Sequence, residues 1–264
     1  MKALVSVAEV AELGDDFEID GLTIDERYLG YSLNEWDDYA IEEAVTLSEA
    51  DVVDEVVVVT IGPERSEQTI REALAKGADR AIRIWDDAVA NVDALMPEMK
   101  TRILASVVEA EEPDIVFTGV QSDDDAWGAT GVALAEEIDF GWAAVVTELD
   151  LEPDDGVAHV RRELEGGLEE VTAVELPAVI TIQTGINQPR YASLRGIRQA
   201  QQKELAVKSL DDLGLNESVL DSELALTELY EPETESETTI WDGEPDETAA
   251  ELASFLRETE VIES

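Results

Sequence analysis

Four short runs rich in valine and isoleucine constrain this chain more than any other feature: Ala3–Val7, Glu55–Ile61, Asp114–Thr118 and Ala178–Thr184. They lack the in-and-out alternation of a strand with one wet face. Such runs suit strands covered on both faces, as in a parallel sheet with helices above and below. Helical patterns fall between them. Asp38–Ala50 sets Ile41, Ala44, Val45 and Leu47 along one face. Ser66–Ala75 follows, with Ser66 as its expected N-cap and Gly77 as its stop, then Pro97–Glu111 and Thr130–Glu137. Strands alternating with helices predict an α/β fold built on a doubly wound, mostly parallel, Rossmann-like sheet.

The texture changes over residues 143–176. Val145–Leu151, Val157–Leu164 and Leu168–Val174 read as short strands joined by Asp154-Asp155-Gly156 and Glu165-Gly166-Gly167. This predicts an antiparallel ribbon inserted before the last core strand. The α/β domain is expected over residues 1–205 and an acidic C-terminal arm over 206–264. From Asn216 to Ser264 there are sixteen acids and one base, Arg257, and Pro232–Thr239 is linker-like. Asp246–Glu258 puts Ala249, Leu252, Phe255 and Leu256 on one stripe, for docking on a partner subunit or packing on its own domain.

The 264 residues include 64 acids and 17 bases, a formal net charge of -47. That balance excludes the basic footprint of a nucleic-acid binder and opposes docking to anionic lipid. With no cysteine, the chain has no thiol nucleophile, disulfide, zinc–thiolate site or iron–sulfur cluster. The single His159 lies in the ribbon, away from the strand ends, and reads as structural or exposed. No apolar run approaches the roughly 18 residues of a membrane span, and the N-terminus reads as a strand rather than a signal peptide. A cytoplasmic location without membrane insertion is expected. Because 44% of residues are hydrophobic, the acid load reads as a hydrated surface on a folded, salt-adapted, halophilic protein. Molar salt shortens the Debye length to about 3 Å and screens the self-repulsion.

Ligands of open parallel sheets sit beyond the carboxyl ends of the strands. Three such ends carry small residues: Ser6-Val7, Thr60-Ile61-Gly62-Pro63, and Thr118 to Asp125 with Thr130-Gly131 after it. Small residues let backbone amides approach a phosphate, and a helix N-terminus favours the anion, although the same glycines also serve simply to turn the chain. Asp123, Asp124 and Asp125 suit magnesium, a general base, ribose hydroxyls or plain solvation. Trp127 in that loop suits base stacking or core packing. There is no P-loop, no G-x-S-x-G elbow, and no G-x-G-x-x-G after the first strand. Nucleotide-type loops without a catalytic constellation point to a binding or carrier protein rather than an autonomous enzyme.

Five motifs in order then resemble the β (small) subunit of electron transfer flavoproteins. Asn187-Gln188-Pro189-Arg190-Tyr191-Ala192-Ser193-Leu194 is similar to that family's N-x-P-R-Y-x-[ST]-L recognition loop. Arg161-Arg162 before Glu165-Gly166-Gly167, with Pro177 downstream, resembles its basic, acid-Gly-Gly and Pro signature. Ser32 to Asp37 before Ala40-Ile41-Glu42-Glu43-Ala44 resembles N-P-F-D before A-x-E-E-A, although Glu35 and Trp36 replace Pro-Phe. Gly77-Ala78-Asp79-Arg80 matches G-A-D-R, and Gly119 to Asp124 resembles G-K-Q-A-x-D with Val120 in place of the lysine.

The resemblance implies an electron-carrier subunit, not itself an enzyme, that pairs with a larger α subunit as a heterodimer. The pair takes electrons from dehydrogenases, such as acyl-CoA dehydrogenases, to a membrane quinone oxidoreductase. It implies an FAD shared with the α subunit and a structural AMP in this chain, or a second FAD in NADH-dependent electron-bifurcating members. Nucleotide contacts are implied at Ser6, Asn34, Glu35, Trp36, Asp37, Val58, Ile61, Gly119, Gln121, Ser122, Asp123, Asp124, Asp125 and Thr130. Partner contacts are implied at Pro189, Arg190, Tyr191 and Leu194, with Leu194 as the anchor. A free-standing ATP-using α/β enzyme is the contrasting reading, but Ser6-Val7-Ala8-Glu9 lacks the S-G-G-x-D-S loop that an adenylating pyrophosphatase needs.

Overall fold

All four apolar runs become strands, and they are apolar throughout because helices cover both faces of one sheet. The computed structural model describes residues 1–14, 16–232 and 239–259. In chain order the elements are Lys2–Ser6 (β1), Glu9–Leu13 (β2), Ile19–Asp20 (β3), Thr23–Ile24 (β4), Leu29–Leu33 (β5), Glu35–Glu49 (α1), Glu55–Ile61 (β6), Glu67–Lys76 (α2), Arg80–Ile84 (β7), Asp87–Ala90 (α3), Pro97–Glu111 (α4), Ile115–Gly119 (β8), Thr130–Glu137 (α5), Gly141–Glu152 (β9), Val157–Leu164 (β10), Leu168–Glu175 (β11), Ala178–Ile182 (β12), Leu194–Ala200 (α6), Leu205–Lys208 (β13) and Pro245–Glu258 (α7).

Nine strands form one sheet in the order β11-β10-β9-β12-β8-β1-β6-β7-β13. Neighbours from β9 across to β13 run parallel, whereas β9, β10 and β11 pair antiparallel. The ribbon is therefore an extension of the sheet: β9 pairs with β12 through its first half and with β10 through its second. At the ribbon tip, Leu164 pairs with Leu168, and Gly166 and Gly167 take φ of 76° and 73°. That left-handed backbone is why the turn carries two glycines.

Alternation along each strand divides the core. Ala3, Val5, Val56, Val58, Phe117 and Ile180 meet Ala40, Ile41 and Val45 of α1 and Ile70 and Leu74 of α2. Leu4, Val57, Val59, Ile82, Val116 and Val179 meet Ile103, Leu104 and Val107 of α4 and Leu134 of α5 on the other face. Each large aliphatic or aromatic side chain among them contributes about 1.5–3 kcal/mol when fully buried.

Several elements lie outside the apolar periodicity. β7 is interrupted by Arg80 and Arg83. Arg80 is satisfied by Glu55 at 2.8 Å and Glu111 at 2.5 Å, and Arg83 donates to the Gly62 carbonyl at 3.2 Å. The helix α1 starts three residues before the apolar pattern does, because its first turn is acidic and faces the sheet's carboxyl edge. Ser66 makes no capping bond: its hydroxyl donates to Glu9 Oε1 at 3.0 Å, and α2 begins after a 3-10 turn.

The chain divides into two compact units, Met1–Leu229 and Tyr230–Ser264. The edge strand β13 and the buried Leu210 and Val219 carry the first unit past residue 205, the end expected from composition. In the second unit, α7 packs Phe255 edge-on against Trp241 with ring centroids 5.5 Å apart. Most of the linker-like stretch Pro232–Thr239 lies outside the described residues.

The Gly77-Ala78-Asp79-Arg80 motif closes the α2–β7 turn. Gly77 has φ of 150°, and a Cβ there would stand 2.5 Å from Val45 Cγ1. Ala78 is fully buried, and Asp79 Oδ2 accepts from the Val56 amide at 2.9 Å. Gly77→Ala is expected to destabilise the fold by about 1–3 kcal/mol. Urea unfolding at fixed molar salt measures it, and a Val45→Ala double-mutant cycle should recover part of the loss if the clash is the cause.

Candidate functional site

After β1 the chain moves to one side through β6 and β7, and β8 then returns to the opposite side of β1. This reversal opens a crevice beyond the ends of β1 and β8, the position where doubly wound folds bind ligands. The cleft there has a volume of about 660 Å³, within the usual ~300–1,000 Å³ range of ligand sites.

The first turn of α1 builds its floor. Asp37 is buried, and its two carboxylate oxygens accept from the Ala8 and Gly119 amides, each at 2.8 Å. Asn34 donates from Nδ2 to the Gln121 carbonyl at 2.9 Å and accepts from the Asp123 amide at 3.3 Å, while its own amide donates to Ala8 O at 3.1 Å. Two side chains one helical turn apart thus fasten the loops after β1 and β8. Gly119 admits this approach: a Cβ there would lie 2.5 Å from Trp36 Cβ and 2.7 Å from Asp37 Oδ1.

The loop after β8 leads into α5. No side chain caps that helix, and Ala129, Thr130 and Gly131 at its start line the cleft. Its first amides are therefore free to donate to an anion. Gly131 seats the helix against the sheet, where a Cβ would meet Thr118 Oγ1 at 2.5 Å. Trp127 is half exposed and lines the cleft instead of packing in the core.

The lining holds Glu9, Asp37, Asp93, Asp124 and Asp125 against only Arg65 and Lys100. Lys100 bonds Asp125 at 2.5 Å, and Asp125 also accepts from Ser122 Oγ and the Trp127 amide. Burial works to raise Asp125, yet Lys100 and these donors hold it below the usual carboxylate range. Arg65 is paired with Glu9 at 3.0 Å and lies over the Tyr31 ring. Both cations are thus partly neutralised within the chain. Among the described residues, no group of three or more His, Asp or Glu is arranged to hold a metal.

Of the nucleotide residues expected from the sequence, Ser6, Asn34, Asp37, Ile61, Gly119, Gln121, Ser122, Asp124, Asp125 and Thr130 line the cleft. Glu35, Trp36, Val58 and Asp123 do not. Val58 is buried in the sheet between β1 and β7, facing the helices rather than the cleft. Trp36 donates from Nε1 to Gln183 at 3.0 Å, and Glu35 and Asp123 are exposed. Sequence reasoning missed Lys100, Arg65 and Glu9. Lys100 carries the one available signal, being one of only five lysines.

A second feature lies on the outer flank of α1 and α2. Pro189 is half-buried, Tyr191 is 98% exposed, and Leu194 is 81% exposed at the start of α6. Arg190, between them, folds back onto α1. It bonds Glu42 through Nε at 2.8 Å and Nη2 at 3.0 Å, and Glu49 through Nη1 at 2.6 Å and Nη2 at 2.9 Å. The Arg190 guanidinium holds the Glu49 carboxyl below its usual range.

A doubly wound α/β protein with a switch-point cleft and an exposed apolar loop is the class these features define. A family model described as the electron transfer flavoprotein domain matches residues 21–213. The chain is 45% identical to the electron transfer flavoprotein subunit beta of Methylophilus methylotrophus, over 98% of each chain. It is 36% identical to the Homo sapiens subunit beta, over 86% of this chain and 85% of the other, and 34% identical to the Arabidopsis thaliana mitochondrial subunit beta over 88% and 90%. The chain belongs to the electron transfer flavoprotein beta subunit family, and its role is in electron transfer.

Burial pushes Asp37 up to about 6 from an ordinary 3.8, while the Ala8 and Gly119 amides and Lys100 pull against the rise. A folded-state value raised in this way gives a stabilising contribution that is full below about pH 4 and lost as pH rises through about 6. Asp37→Asn also leaves one buried amide without an acceptor, at a cost of about 1–3 kcal/mol. Urea unfolding of both proteins in molar salt should show the variant's deficit shrinking from about pH 4 to about pH 7. A constant deficit would contradict the assignment.

Proposed function

We propose that the chain pairs with an electron transfer flavoprotein alpha subunit, helps hold a redox FAD in that partner, and keeps a structural AMP in its own cleft. The observation that carries the AMP reading is the uncapped start of α5, opening onto a cleft whose side-chain cations are already paired. A phosphate there is held by backbone amides, as at other helix N-termini. In this reading Asp124 and Asp125 accept from ribose hydroxyls and Trp127 stacks on the base. In this reading Asn34 and Asp37 keep the two loops at a fixed spacing. When bound, the FAD supplies the electron transfer, and the AMP supplies none.

In this reading the chain contributes surfaces rather than acid–base groups. Leu168 and Val171 on β11 are exposed apolar residues at a free sheet edge, which supports a subunit that is covered by a partner. The loop with Tyr191 and Leu194 docks dehydrogenases, and the pair delivers electrons to a membrane quinone oxidoreductase. The acidic surface fits a salt-adapted cytoplasmic protein. No helix among the described residues is long and apolar enough to cross a membrane.

Acid release of nucleotides from the co-expressed heterodimer should yield one FAD and one AMP. Two FAD would instead place a second flavin in this cleft, as in a bifurcating complex, and a chain that forms no complex and holds no nucleotide would sink the proposal. Because backbone amides and not free cations hold the phosphate, AMP should bind no more weakly as salt rises from about 0.1 M to about 1 M, where the Debye length shrinks from ~10 to ~3 Å. Isothermal titration across that range measures it, and a steep loss of affinity with salt would argue for cation-held phosphate. Leu194→Ala should raise the KM for a reduced dehydrogenase by roughly tenfold at unchanged nucleotide content.

A further inference from the structure

Tyr191 and Leu194 project from a segment that is pinned at three points. At its front, Asn187 Nδ2 donates to Tyr39 O and to Glu43 Oε2, each at 3.0 Å. In its middle, Arg190 spans Glu42 and Glu49, and the Arg190 amide adds a bond to Glu42 Oε2 at 3.0 Å. At its rear, α6 lies so close to α2 that a Cβ on Gly196 would stand 2.3 Å from Ala75 O. Lys203 there donates to the Leu74, Gly77 and Ala78 carbonyls at the end of α2.

The middle pin is the strongest by chemistry. Glu42 is nearly buried, so its pairing is screened less than that of a surface carboxylate. Arg190 engages both oxygens of both acids, a planar fork geometry that lysine cannot reproduce. The guanidinium is thereby used up within the chain, while the apolar neighbours are left outside. Ordering a loop before a partner arrives removes that entropy from the cost of binding.

We propose that Arg190, with Glu42 and Glu49, is a positioning device that fixes the loop so that Leu194 meets the electron donor already in its bound geometry. The proposal rests on the reading of this loop as the dehydrogenase-docking surface. Arg190 is a positioning residue: it acts through Leu194 and does not touch the partner.

The test uses the heterodimer in molar salt, with Arg190→Gln, Arg190→Lys, Glu49→Gln and Leu194→Ala. Amide hydrogen exchange of residues 187–193 without any dehydrogenase reads the clamp alone. Arg190→Gln should speed that exchange by about tenfold or more, Arg190→Lys should rescue it only in part, and Leu194→Ala should leave it unchanged. With a reduced dehydrogenase, Arg190→Gln should raise KM by about five- to tenfold at nearly constant kcat, and Glu49→Gln should do so by less. Unchanged exchange in Arg190→Gln overturns the clamp. Faster exchange with an unchanged KM, while Leu194→Ala still raises KM, overturns the positioning role only. An unchanged KM in Leu194→Ala overturns the docking surface itself, and with it the proposal.

Discussion

One carboxylate closes the switch point on which the site depends. The strands β1 and β8 are held side by side by their ladder, but its last pair is Val5 with Phe117, and the two strands end at Ser6 and Gly119. Beyond those residues Val7 and Val120 each keep one bond to a neighbouring strand, but the two loops are no longer paired with each other through the ladder. Asp37 sets the distance by accepting one amide from each with its two oxygens. It stands at the positive end of the α1 dipole, which offsets part of the cost of burying a charge. Gly119 is the matching constraint, since any side chain there would occupy the space of Asp37 and Trp36.

The acid load and the anion-binding role proposed for the cleft are compatible because they use different parts of the molecule. At -47, the chain has a long-range field that repels a phosphate in dilute buffer. Within the cleft, however, the donors are peptide amides at a helix start, whose partial charges act at contact distance and need no lysine. Pairing Lys100 with Asp125 and Arg65 with Glu9 shapes the loop and leaves the amides as the free donors. A surface can therefore become acidic residue by residue without disturbing the amides proposed to hold the ligand.

The fold is legible in the sequence where burial alone dictates residue type. The strands Glu55–Ile61 and Val157–Leu164 have the limits that their patterns predict, as do the helices Pro97–Glu111 and Thr130–Glu137. The strand β7 is not legible, because Arg80 and Arg83 are accommodated by partners far away in sequence. The same limit applies to the site. Glycines and the loop acids mark the cleft, but Val58 can be separated from it only by knowing which face of the sheet it occupies. The roles of Asp37 and Arg190 depend on what each one touches, which no local pattern records.

The helix α1 shows why a motif can serve two surfaces at once. With 3.6 residues per turn, Glu42 and Glu49 lie about two turns apart on one side of the helix. That spacing lets a single guanidinium bridge both. Ile41, Ala44 and Val45 fall on a different stripe and are buried against the sheet. Asn34 and Asp37 occupy the turn that faces the crevice. One helix thus holds the cleft at its start, the core along one side and the exposed loop along the other. Asn34 and Asp37, then Ile41, Ala44 and Val45, then Glu42 and Glu49 are thus constrained by three different surroundings along the same helix.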